Sequence, residues 1–390
     1  MTDAKKQCSE AVIILDNRSS KGLLFCREWL RLGEMTGGRM SLKSVVGWSL
    51  LLSATLGIVR AGAQVSDEPA TTLINRGAIV YSKSLDKIYV VDQSHDAVLA
   101  VRADGAVKRV KIGATPDAIA VNDRTGMVYV TSPDGKSASV IDGRSDAVVA
   151  TLPMEGLPYA IAVDELANKV YVASTYSNML AVIDGATNAV SKVKTGSADA
   201  VVVDAARKQV YLMGYESDTI TVVKQATGEV AKIPAGEMHL WGVALDGRTL
   251  LVTHVQGGTV EAIDVESGSS TTIATGAMPC AVAVNPSTGL AYVANYGDGS
   301  VTAIDVRRGV AVGTVKVGRH PEGIAVDPAS GLVYVVNTGD GTVSEIEEKN
   351  LRVVKTMSAG EHPYAVAVNA KDHMVYIANF GQAAFTVLSR

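Results

Sequence analysis

The stretch NPSTGLAYVANYGDGSVTAIDV, Asn285 to Val306, returns at Asp327 as DPASGLVYVVNTGDGTVSEIEE, and this recurrence decides how the rest of the chain is read. Aligned on the tyrosine of its YV pair, the pattern recurs at Tyr89, Tyr129, Tyr171, Tyr211, Leu251, Tyr292, Tyr334 and Tyr376, in steps of 40 to 42 residues. Most units carry four short apolar runs, as in the sixth: CAVAV from Cys280, LAYVAN from Leu290, SVTAIDV from Ser300 and VAVGTVKV from Val310. Runs of about five residues rich in Val, Ile, Tyr and Thr, separated by turn residues, are strands. Four strands per unit, repeated radially, predict an all-β chain folded as a single β-propeller of eight four-stranded blades. Seven blades plus one irregular unit is the alternative.

The turns fit that geometry. Gly126, Gly289 and Gly331 stand where the first two strands meet, and GDG at Gly297–Gly299 and Gly339–Gly341 turns the second into the third. Asp142, Asp184, Asp264 and Asp305 end third strands, where a carboxylate accepts backbone N–H bonds and nucleates the turn. The last unit stops after three strands, so ATTLI, Ala70 to Ile74, is expected to supply its outer strand and close the ring.

Upstream of the repeats, VVGWSLLLSATLGIV (45–59) has the length of a secretory apolar core, with Arg39 and Lys43 before it and RAGAQ after it. Residues 1–39 read as a non-native upstream extension, 40–63 as a signal peptide cleaved after Ala63, and 64–390 as the propeller. A single N-terminal anchor helix is the alternative. Residues 64–390 hold 27 bases and 35 acids, a formal charge of −8, which does not favour a phosphate backbone as partner. Cys8 and Cys26 precede the cleavage point, which leaves Cys280 with no partner for a disulfide. The expected location is periplasmic or secreted, and the expected state a monomer.

The recurring Y-V-A/T-N/S, with P-x-A/G-I/V-A-V and V-x-x-I-D, resembles the YVTN-type β-propeller repeat family of exported and cell-surface proteins, over essentially Gly77 to Arg390. The resemblance implies the fold. Its functional implications are broad, because similar repeats occur in surface-layer components, in a periplasmic DNA-binding propeller and in domains attached to redox enzymes.

Functional residues are sought where the repeats disagree. The residue that enters each first strand is Asn75, Thr115, Leu157, Ser197, His239, Met278, His320 and His362 in turn. His254 begins the following loop of unit five, where later units have Asn295, Asn337 and Asn379, while His373 falls in an ordinary turn. Imidazoles on one rim can bind a polar ligand or an anion, though ring spacing alone specifies no metal set. The next variable register holds Asp117, Tyr159, Asp199, Trp241, Cys280, Glu322 and Tyr364, with Glu237 in the loop of unit five. The candidate ligand-binding residues are therefore His239, Trp241, His254, Cys280, His320, Glu322, His362 and Tyr364.

Four functions remain in play, the last a sensor or electron-transfer partner that no cofactor motif supports. The first is a non-enzymatic binding or scaffold module of the cell envelope whose channel mouth takes an envelope protein, a glycan or a small polar ligand, with no cofactor. The second is a lyase or hydrolase in which Cys280, His239 or His320 and an acid converge within about 4 Å, roughly hydrogen-bonding reach. The third is a periplasmic DNA binder, disfavoured because Lys108, Arg109, Lys111, Lys192 and Lys194 fall largely on outer strands.

Overall fold

Residues 77–369, 371–380 and 384–388 are described by the computed structural model. The proposed leader, the upstream extension and the closing strand Ala70–Ile74 lie outside them.

Each repeat unit becomes one antiparallel sheet whose strands pair in chain order, giving eight sheets. In blade six the strands are Pro279–Asn285, Leu290–Asn295, Ser300–Asp305 and Val310–Lys316. Burial explains why the apolar runs differ. The second strand lies between two neighbouring blades and is buried on both faces almost throughout, whereas the outer strand is largely exposed with alternate residues half-buried. Among the described residues blades one to seven have four strands, and blade eight has three: Pro363–Val368, Val375–Asn379 and Phe385–Leu388. The count of eight replaces the seven-bladed alternative.

First strands line the central axis and touch their neighbours around the ring, including blade eight against blade one. The seam between those two blades is filled by one apolar cluster containing Ile79, Val98, Tyr364, Tyr376, Ala378 and Phe380. The repeated second-strand tyrosines are the largest core groups: Tyr89, Tyr129, Tyr171, Tyr211, Tyr292 and Tyr334 are at most 2% exposed, and Leu251 in the same place is fully buried. Some also reach the following blade with the hydroxyl, Tyr89 donating to the Gly143 carbonyl at 3.1 Å and Tyr292 to Glu348 Oε1 at 2.9 Å.

The turn residues act as their chemistry suggests. Gly126, Gly289 and Gly331 adopt φ of 75°, 71° and 65°, the left-handed region that a side chain enters only at a cost. Asp184 Oδ1 accepts from the Ala186 and Thr187 amides, and Asp264 Oδ1 from those of Glu266 and Ser267. The backbone donors at Ser267 and Glu266, with Arg248, hold the Asp264 carboxyl down at about 2 despite opposing desolvation. His373 is likewise structural, its Nδ1 lying 2.8 Å from Asp327 Oδ2 of the preceding blade.

Candidate ligand face at the channel mouth

The chain enters each first strand through a left-handed residue or a left-handed glycine. Thr115, His239, Met278, His320 and His362 have φ between 46° and 68°, and in blades three and four Gly156 and Gly196 take that conformation one residue earlier. The next residues form a β-bulge, in which one or two residues of the first strand lack a counterpart in the pairing. Tyr159, Trp241, Cys280, Glu322 and Tyr364 all sit in such bulges, of blades three, five, six, seven and eight respectively. A bulge re-aims the side chain out of the sheet's alternation, and here it does so at the narrow end of a ring.

The following position is crowded, which explains why it is Ala or Gly in every repeat. A β-carbon on Gly242 would lie 2.6 Å from the Cys280 carbonyl oxygen, and one on Gly323 would lie 2.7 Å from that of Tyr364. These two glycines let each first strand press on the backbone of the next blade.

A second variable register, four residues after the aligned tyrosine, completes the mouth: Gln93, Pro133, Thr175, Tyr215, Val255, Tyr296, Thr338 and Phe380. Its members reach toward the entry loop or bulge of the following blade. Gln93 Nε2 donates to Asp117 Oδ1 at 3.3 Å, and the Thr175 hydroxyl donates to Asp199. Tyr215 meets Trp241 edge to face at 5.3 Å and His239 at 4.9 Å. Tyr296 stacks on His320 at 4.5 Å with planes 9° apart, and Thr338 donates to the Pro363 carbonyl at 2.6 Å. Phe380 instead stacks on Tyr364 of its own blade at 4.2 Å. Sequence reasoning overlooked this register, although Tyr215, Tyr296 and Phe380 stand at one fixed offset and could have been found by aligning the loops as well as the strands.

The candidate residues thus divide into two groups. His239, Trp241 and His320 are half-buried on the rim and His362 is exposed. His254, Cys280, Glu322 and Tyr364 are at most 7% exposed. His254 ends the second strand, Thr249–His254, rather than beginning a loop.

Cys280 is a packing residue. Its Sγ lies 3.4 Å from the Ala294 carbonyl oxygen and 3.3 Å from that of Pro321, with no histidine in hydrogen-bonding reach. Burial, then the Glu322 carboxyl, pushes the thiol well above its ordinary range, so no thiolate forms near neutral pH. The convergence of Cys280 with His239 or His320 required for a nucleophilic site is absent.

Glu322 is a buried acid whose pKa burial raises to about 8, while the Thr338 hydroxyl pulls the other way. One hydroxyl proton cannot serve both Glu322 Oε2 at 2.9 Å and the Pro363 carbonyl at 2.6 Å. Protonated Glu322 resolves the conflict: it donates to Thr338 Oγ1, which donates onward to Pro363. The Oε1 atom has no hydrogen-bond partner. Tyr364, also raised by burial, feels the carboxyls of Asp117, Glu322 and Asp92, from three different blades.

His320 titrates below the ordinary 6.5, first because it is desolvated and then because of Arg319, with Asp340 opposing. Among the described residues no group of three His, Cys, Asp or Glu side chains is placed to hold a metal ion, and no helix is long and apolar enough to cross a membrane.

No protein-family model and no curated protein matches the chain. Solved structures do share the fold. Hydrazine synthase of Kuenenia stuttgartiensis superposes with a TM-score of 0.59 at 20% identity, over 73% of this chain and 99% of that one. The dihydro-heme d1 dehydrogenase NirN, in complex with DHE, gives 0.65 at 16% identity, over 88% and 80%. The computationally designed protein Ika8 gives 0.65 at 13% identity, over 79% and 94%. At these identities the likeness establishes the propeller and nothing about chemistry.

Proposed function

We propose that the chain is an exported, non-enzymatic binding module of the cell envelope, which presents the channel-mouth rim to a protein, a glycan or a small polar ligand. The observation that carries this reading is the cost of the rim. His239, His320 and His362 occupy a left-handed backbone position where glycine would be cheaper by about 1 kcal/mol. Thr115 and Met278 bear the same cost, but only the histidines set an imidazole there, and imidazoles next to aromatic rings suit polar recognition. Trp241 and the two stacked or edge-on histidines form the half-buried rim of the face with His362 exposed beside it, and Glu322 and Tyr364 are buried. The resemblance to YVTN-type repeats supports the same reading, as does the apolar run before Ala63 for export.

The test is a binding screen of sugars, amines, carboxylates, peptides and tetrapyrroles against the unmodified chain and the variant His239→Ala, His320→Ala, His362→Ala. Ligands whose affinity falls at least about tenfold in the variant, which still unfolds in one cooperative step, support the reading. Ligands bound equally by both would move the function to another face of the disc. For export, N-terminal sequencing of protein recovered outside the cytoplasm is expected to begin at Gln64, and a chain retaining Met1 there would overturn cleavage.

A further inference from the structure

The junction of blades four and five breaks a polar network that the last three blades keep. In blade six, Asn295 Nδ2 donates to Ser300 and Thr302 hydroxyls, both at 2.9 Å. In blade seven Asn337 donates likewise to Thr342 and Ser344, and in blade eight Asn379 donates to Thr386. Blade five puts His254 in the asparagine's place and Glu261 in that of Thr302. Glu261 Oε2 accepts from Thr272 at 2.8 Å, while His254, 1% exposed, makes no well-formed hydrogen bond and has the backbone of Met238 and Glu237 as its polar neighbours. Desolvation lowers the imidazole's pKa against the pull of Glu261, Glu237 and the Met238 and Glu237 backbone, so near neutral pH it is uncharged.

The surroundings are aromatic and acidic. Tyr215 stands with its ring at 66° to His239 and 86° to Trp241, so the three rings make a corner rather than a stack. The Trp241 indole N–H, buried, is also without a partner. Glu237, two residues before His239, is exposed with its carboxylate packed against Gly257, and Met238 beside it is 49% exposed. Glu216 adds a further carboxylate near Tyr215.

We propose that this corner binds a small organic ammonium ion with a neighbouring oxygen acceptor, the chemistry of an amino alcohol. The inference rests on the reading of the mouth as a ligand face and narrows it to one junction and one charge. Ring faces set near a right angle attract a cation through their quadrupoles. Glu237 supplies the counter-charge, and the indole N–H of Trp241 donates to the ligand's oxygen. Neutral His254, buried behind the corner, does not repel the cation. A neutral isostere loses the charge-dependent part of this attraction, and an anion meets Glu216, Glu237 and Glu261.

The test follows the indole N–H resonance of Trp241 in the full chain labelled with 15N-tryptophan, identified by its loss in Trp241→Phe. Choline is titrated beside its uncharged isostere 3,3-dimethyl-1-butanol and the anion glycolate. Saturable shifts with choline, at least about tenfold weaker with the alcohol and weakened to a similar degree by Glu237→Gln, are expected. Equal response to choline and the alcohol, or a response to glycolate alone, would overturn the charge assignment while leaving a ligand face at the mouth. No response of Trp241 to choline overturns it as well, and the fate of the wider reading is then decided separately by the screen on the triple histidine variant.

Discussion

Two positions four residues apart, one inside the second strand and one past its end in every blade but the third, behave in opposite ways. The aligned tyrosine is kept in seven of eight units, from Tyr89 to Tyr376, with Leu251 the exception. Four residues on, the chain uses Gln93, Pro133, Thr175, Tyr215, Val255, Tyr296, Thr338 and Phe380. The first position sees the same thing in every blade, an apolar gap between two sheets, so one residue type serves throughout. The second meets a different neighbour at nearly every junction: a carboxylate for Gln93 and Thr175, an indole for Tyr215, an imidazole for Tyr296. Repetition is kept where the surroundings repeat, and is lost where each contact has its own partner.

This contrast can be broken most forcefully at the tyrosines. Tyr292→Ala empties a fully buried ring site and removes the bond to Glu348, and is expected to cost about 3–5 kcal/mol in denaturant unfolding while ligand affinity at the rim stays unchanged. A loss under about 1 kcal/mol would mean that the second-strand register is not the core.

Glu322 gives the next effect, one that depends on pH. Its folded pKa of about 8 stands above the ordinary 4.5, so the folded chain holds a proton that the unfolded chain releases. Its stabilising contribution is full below about 4.5 and is lost as pH rises toward 8, on the order of a few kcal/mol in all. Glu322→Gln is expected to flatten that part of the stability profile, measured by urea unfolding across the window. An unchanged slope would place the titrating group elsewhere.

Gly323→Ala sharpens the comparison at the bulges, where the new methyl meets the Tyr364 carbonyl with no flexible side chain to give way. A loss of about 1–3 kcal/mol is expected. An unaffected variant would show that the first strands can move apart.

The rim histidines come last. His320→Ala forfeits the stack on Tyr296 and should cost about 0.5–1.5 kcal/mol, whereas His362→Ala, at an exposed site, should stay within about 0.5 kcal/mol. Thermal unfolding of the two variants side by side checks the order.

Eight blades were legible because turn glycines, β-branched runs and Tyr–Val pairs are local signals repeated at one period. The ring position of His239, His320 and His362 was legible for the same reason. Burial was not. Cys280, Glu322 and Trp241 occupy one register and follow the same kind of loop, yet Cys280 and Glu322 are sealed by the next blade while Trp241 stays half-open. What decides this is the neighbour across the junction, as when Thr175 finds Asp199 24 residues later, and a single repeat carries no record of it. His254 was misplaced into a loop because strand ends are set by pairing, here with Leu240, rather than by residue type.

The differing junctions bear on how such a ring assembles. A chain of near-copies has many almost equivalent ways to start closing, and a blade that docks one unit out of order still finds a tyrosine, a glycine turn and a Val-rich face where it expects them. The contacts between the bulge and the loop of the previous blade tell the units apart. Slipped by one place, Asp199 would meet Pro133 instead of the hydroxyl of Thr175, and Trp241 would meet Thr175 instead of its aromatic wall. Each junction thus works as an address, penalising the wrong neighbour by taking from a half-buried carboxylate or indole the contact it has in the native ring.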